Sequence, residues 1–207
     1  MPMDSVSHTT VAHYLLDYVE KNDGVSFDRK AFCFGNLKPD LKGEYLTKRH
    51  YPSLMFDEVM QRIRDFIKRF SICKENGAKL SEELGVICHY ITDFFSFPHN
   101  DDIYEHGLFA HYIYEKKTGI TIHWRINETK FDCWAQHQPE ELPQSADALI
   151  GFLSEQHRRY TAQATHTISD DIKHICHVLA AVVRSLIQMA GAAVVPFDNT
   201  NNLRQTA

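Results

Sequence analysis

Residues 84–97, LGVICHYITDFFSF, are apolar nearly all round, yet they carry His89 and Asp93 at helical i,i+4 spacing. A helix with no polar face has to be buried, so this stretch demands a shell of other elements around it. The spacing places both polar side chains on one face. A carboxylate buried there costs several kcal/mol unless it is paired or metal-bound. Two readings satisfy Asp93: a hydrogen-bonded His89–Asp93 pair that needs no metal, or a share in a metal site. The run predicts a helix over 80–97, with Ser81 as N-cap and Glu82 and Glu83 suiting the positive end of the helix dipole. Pro98 stops it, and His99 follows directly.

A His-to-acid pair is weak evidence alone. Chance predicts roughly 1.7 such i,i+4 pairs for 13 His and 27 acidic residues in 207. The chain has five: His13/Asp17, His89/Asp93, His111/Glu115, His137/Glu141 and His166/Asp170. Two of them stand out, because the Pro98-His99 dipeptide links His89/Asp93 to His111/Glu115 across a short gap.

The rest of the chain reads as helices. Residues 7–21 have Val11, Leu15 and Val19 at helical spacing. His8 starts this helix and is open to a capping, exposed or cleft-facing role, whereas His13, in its middle, reads as a packing residue. Residues 31–43 look like a short apolar segment that breaks into a loop at Gly35 and Pro39, with Asp40 in a turn. His50 precedes a strongly amphipathic helix with Leu54, Val59, Ile63, Phe66, Ile67 and Phe70 on its apolar face. Residues 106–117 predict another helix. Residues 118–147, with Gly119, Pro139 and Pro143, read as a long connection holding at most a short helix, in which Trp124 and Trp134 are expected to pack. Helices return over 145–165 and 168–193. The last is apolar enough to suggest a membrane span, but Arg184 and Gln188 interrupt it, and a buried core helix is expected instead. The expectation is therefore an all-α, single-domain multi-helix bundle over residues 1–195, followed by a tail over 196–207.

Composition narrows the function. A net charge of −5 without a basic block argues against a nucleic-acid groove or a polybasic membrane patch. Five cysteines without a CxxC pair read as reduced thiols. The start, MPMDSVSHTT, has no basic region followed by an apolar one, so no signal peptide and a cytoplasmic location are expected.

Taken in order, SHTTVA with His8, Pro39-Asp40, His50, His89-x3-Asp93-x5-His99 and His111-x3-Glu115 make a string that resembles the bacterial zinc-dependent phospholipase C family. That family shares its all-helical fold with the single-strand-specific nucleases of the S1/P1 type. The resemblance spans roughly residues 5–185 and favours His8 over His13 as the early ligand. It implies a site for two to three zinc ions (Zn2+). Asp40, His50, His89 and Asp93 would hold the first, and His99, His111 and Glu115 the second, with a position left open for water or substrate. His8 and a bridging Asp93 would hold the third. In the family the third ion also takes the amino-terminal Trp of the mature chain. This sequence departs there, starting Met1-Pro2.

The short gap from His99 to His111, and Glu rather than Asp at 115, favour the phospholipase branch over the nucleases. Three divalent ions would bring about +6, and Asp40, Asp93 and Glu115 return about −3, so the cluster stays cationic and suits a phosphate ester, phospholipids included. Zinc would polarise the phosphoryl oxygens and make hydroxide available near neutral pH, and the resemblance gives Asp40 the role of orienting the water or taking its proton. The expected activity is metal-dependent phosphoric diester hydrolysis. The alternatives are a nuclease or nucleotidase of the same fold and a non-catalytic member that only holds metal.

Overall fold

The computed structural model describes residues 5–41, 49–72, 77–125, 127–136 and 141–190. Among them are eight α-helices, one 3-10 turn and no strand. The helices are α1 (Ser5–Asp23), α2 (Arg29–Leu41), α3 (Pro52–Ile72), α4 (Gly77–Phe94), α5 (Leu108–Arg125), α6 (Glu128–Ala135), α7 (Ala146–Thr161) and α8 (Ile168–Ala190), with the 3-10 turn at Phe97–His99. The all-α expectation holds. The expected tail over 196–207 lies outside the described residues, as do Met1 and Pro2.

Helix α4 is the buried centre that its composition demands. Every residue from Leu84 to Phe94 is buried, and α1, α2, α3 and α8 pack around it. It ends at Phe94, three residues earlier than expected. Pro98 has no N–H to give the Phe94 carbonyl, and its ring would clash there in a continued helix. Helix α8 packs against α1, α3, α4, α5, α6 and α7. It is long and apolar enough to cross a membrane by length and composition, but its apolar residues from Ile172 to Leu186 form core. Arg184 on it pairs with Asp23 at 2.9 Å.

Four local expectations are corrected. Helix α2 runs unbroken through Gly35 and Pro39 to Leu41. Gly35 is not a hinge but the contact point of a close crossing: a Cβ on it would overlap the Glu82 carbonyl oxygen of α4, and one on Gly85 would overlap the Phe32 carbonyl oxygen of α2. Pro39 sits near the C-terminal end, where its missing N–H leaves only the Gly35 carbonyl without a helical donor. Ser81 lies inside α4 rather than at its cap; its hydroxyl donates to the Gly77 carbonyl at 2.6 Å and accepts from the Asp28 N–H at 3.0 Å. Asp28 in turn caps α2, accepting from the Ala31 N–H at 2.9 Å. The expected connection after residue 117 is largely helical, because buried Thr118 and Ile122 carry α5 on past Gly119. Asn127 then starts α6 by accepting from the Lys130 N–H at 3.0 Å. Finally, His13 does not pack inside; it is exposed beside Arg29.

Gly24 ends α1 in a left-handed conformation, φ 66°, with its N–H donated to the Glu20 carbonyl. Trp134 is half-buried against the core, as expected, whereas Trp124 is 77% exposed.

Candidate metal centre

Six segments deliver polar side chains to one end of the bundle. His8 comes from the first turn of α1, Asp40 from the last turn of α2, and His50 from the extended residues before α3. His89 and Asp93 project from α4, His99 from the 3-10 turn, and His111 and Glu115 from α5. All eight residues expected from the sequence converge there.

Asp93 is the hub, and it is fully buried. Its Oδ2 lies 3.0 Å from His50 Nδ1, 3.2 Å from His89 Nε2 and 3.8 Å from His99 Nδ1, while its Oδ1 lies 3.4 Å from His8 Nε2. Asp40 Oδ1 stands 3.7 Å from His89 Nε2 and 3.8 Å from His50 Nδ1. The His8 ring stacks on the His89 ring at 4.2 Å. Alongside, Glu115 Oε1 lies 2.9 Å from His111 Nε2 and 3.2 Å from His99 Nε2.

Three groups are compact enough to hold a metal ion: His8 with Asp40 and His89, His50 with His89 and Asp93, and His99 with His111 and Glu115. The last is the set the resemblance implies for the second ion. The other two interleave the residues expected at the first and third, because His89 faces both.

The α2–α4 crossing sets the orientation of His89. With no side chain at Gly35 or Gly85, the two backbones approach closely enough for the Asn36 carbonyl to reach His89 Nδ1 at 2.8 Å. A carbonyl only accepts, so Nδ1 carries the proton and Nε2 offers its lone pair. That lone pair points among Asp93 Oδ2, His50 Nδ1 and Asp40 Oδ1. Converging acceptors of this kind repel one another unless cations or extra protons lie between them.

The unsatisfied atoms tell the same story. His8 Nδ1 and Nε2, Asp40 Oδ2, Asp93 Oδ1, His99 Nδ1 and Glu115 Oε2 are buried and lack a hydrogen-bond partner. Buried polar atoms are normally paired, so a concentration of orphans around one point is unusual. Imidazole nitrogens and carboxylate oxygens are the donors zinc takes, and they fit such an ion.

Electrostatics follow from the packing. Burial would raise the Asp93 pKa, but His99 and His89, with His50 and His8 close by, hold it well below the usual carboxylate range. Glu115 is likewise held low against its burial by His111 and His99. Burial pushes Asp40 up to about 6, with His89 opposing and Asp93 reinforcing. His89 is lowered by burial and by neighbouring His8, whereas His99 is raised against its burial by Asp93 and Glu115.

Access is from the His50 and His111 side, where those side chains are 11% and 14% exposed. The Tyr104 ring meets His111 edge-on at 5.9 Å, and Tyr51 meets His99 at 6.5 Å. Sequence reasoning overlooked Asn36, Tyr51 and Tyr104. Asn36 acts through its main-chain carbonyl, so its side-chain type gave no signal of this contact.

The family described as zinc dependent phospholipase C matches this chain over residues 7–170. No curated protein and no solved structure matches it. The family match covers most of the chain and every one of the eight converging residues. The chain belongs to the zinc-dependent phospholipase C family.

Proposed function

We propose that this member of the zinc-dependent phospholipase C family is a zinc-dependent phosphoric diester hydrolase, with a phospholipid or a similar small phosphodiester as substrate. The observation that carries the reading is the set of orphaned buried donor atoms around Asp93 and Glu115. His8, Asp40, His50, His89 and Asp93 would hold one or two ions, and His99, His111 and Glu115 another. Zinc bound there would supply Lewis-acid polarisation of the phosphoryl oxygens and bring the pKa of water towards 7.

The chain's own residues do the remaining work. Asp40 is the proton acceptor: its Oδ2 is buried and has no hydrogen-bond partner, so it can accept from a water held beside the ions. Asn36 fixes the tautomer of His89, so that its free nitrogen stays aimed at the shared carboxylate. Tyr51 and Tyr104 flank the accessible side and would border the ester's leaving group.

Charge selects among phosphodiesters. The loop joining His99 to α5 exposes Asp101, Asp102 and Glu105, and the whole chain carries −5. Such a rim repels a polyanion and tolerates a headgroup that carries a positive charge. The test compares a phosphocholine ester with single-stranded DNA on the same zinc-loaded sample. The choline ester is expected to turn over about tenfold faster or more. Preference for DNA would make the protein a nuclease of this fold, and zinc bound without turnover of either would make it a non-catalytic member.

A further inference from the structure

Asp171 belongs to none of the groups described above, and it lies in the first turn of α8, fully buried. Its carboxylate accepts three hydrogen bonds. Oδ2 takes the Phe97 N–H at 3.0 Å and the Tyr114 hydroxyl at 2.8 Å, and Oδ1 takes the Tyr160 hydroxyl at 2.7 Å. Phe97 stands two residues before His99 in the 3-10 turn, and Tyr114 immediately precedes Glu115 on α5. One carboxylate oxygen therefore ties together the two elements that carry the His99, His111 and Glu115 group.

The surroundings make this tie rigid. The Phe97 ring packs against Tyr114 at 6.1 Å, Tyr104 at 5.1 Å and His166 at 4.7 Å. The turn is also held from α7, where His157 Nε2 bonds Asn100 Oδ1 at 2.7 Å while Asn100 Nδ2 donates to the Phe94 and Ser96 carbonyls. That second set of bonds steadies the turn but does not reach α5. Asp171 reaches both. Burying a carboxylate merely to join helices is costly, and apolar packing joins them at less cost. The gain lies in geometry, since three donors fix the distance between the turn and α5.

We propose that Asp171 is a positioning residue for the His99–His111–Glu115 metal group, setting the separation of the 3-10 turn and α5 before an ion binds. This rests on reading that group as a zinc site. It acts through Phe97 and Tyr114 and touches no ligand side chain itself.

Two matched variants isolate the effect. Tyr114→Phe and Tyr160→Phe each remove one hydroxyl bond to the same carboxylate, but only Tyr114 lies on an element with zinc ligands. Zinc affinity is read by chelator competition on wild type, Tyr114→Phe, Tyr160→Phe and Asp171→Asn, with Glu115→Ala marking the ion that belongs to this group. Tyr114→Phe and Asp171→Asn are expected to weaken that ion by about 10- to 100-fold and leave the others in place. Tyr160→Phe is expected to lower thermal stability while leaving zinc affinity within about twofold of wild type, since it touches no element that bears a ligand. Equal affinity in wild type and Tyr114→Phe overturns the proposal, as does an equal loss in Tyr160→Phe. If the wild type holds no ion sensitive to Glu115→Ala, the zinc reading itself fails and this proposal falls with it. If Asp171→Asn does not fold, the tyrosine pair still decides.

Discussion

Asp93→Asn is expected to remove at least one zinc ion and to cut phosphodiester hydrolysis by about a thousandfold or more. The size follows from what the carboxylate faces: four histidine nitrogens lie within 3.8 Å of its two oxygens. Asparagine keeps the volume, but it removes the charge and turns an N–H2 group towards nitrogens that need a cation between them. Metal stabilisation of a phosphoryl transition state is worth several kcal/mol, and about 4 kcal/mol corresponds to a thousandfold in rate. Fold stability without metal should fall too, because the histidines around Asp93 hold its carboxyl well below the usual range, and a carboxylate stabilised in this way supports the fold at neutral pH. The variant should therefore melt below wild type in chelator. Added zinc should raise the wild-type melting temperature by mass action and raise that of Asp93→Asn much less. A variant that keeps all its zinc and its activity would remove Asp93 from the centre of the account.

The second large effect lies outside the ligand set. Gly85→Ala is expected to cost about 3 kcal/mol of stability and to weaken zinc binding as well. The new methyl would overlap the Phe32 carbonyl oxygen and press on the Asn36 N–H, both backbone atoms of α2 that cannot step aside like a side chain. Relief requires α2 to move away from α4. That motion draws the Asn36 carbonyl from His89 Nδ1 and frees the ring to turn or change tautomer. The control is Gly151→Ala on the exposed face of α7, where a Cβ meets nothing within 4 Å. Alanine there should stabilise by about 0.5–1 kcal/mol and leave zinc untouched. Urea denaturation of the two variants beside wild type, with zinc content measured on each, checks both signs.

Much of the centre was legible because its ligands obey local rules. His89/Asp93 and His111/Glu115 show helical spacing, and Pro98-His99 marks where the buried helix stops and a ligand follows. Asp40, His50 and His8 were legible only through their order in a string that resembles the family, since each alone suits a turn, a loop or a cap. Tertiary packing decided what local rules could not. Gly35 and Pro39 carry the usual signals of a break, yet α2 continues because Gly35 meets Gly85 in a helix crossing that no single segment reveals. Ser81 has the chemistry of a cap, and it supports the start of α2 instead. Asp171, in the first turn of α8, looks like an acid suited to the helix dipole. Its bonds to Phe97 and Tyr114 exist only once three distant stretches have packed together.

The most direct measurement is zinc per chain, by elemental analysis of protein purified from zinc-containing medium, with His89→Ala and Glu115→Ala beside the wild type. These two side chains serve different groups, so each variant reports on a different part of the centre. Two or three ions are expected in the wild type, with the loss of at least one in each variant. A wild-type protein that purifies without zinc and gains no thermal stability when zinc is added would contradict this.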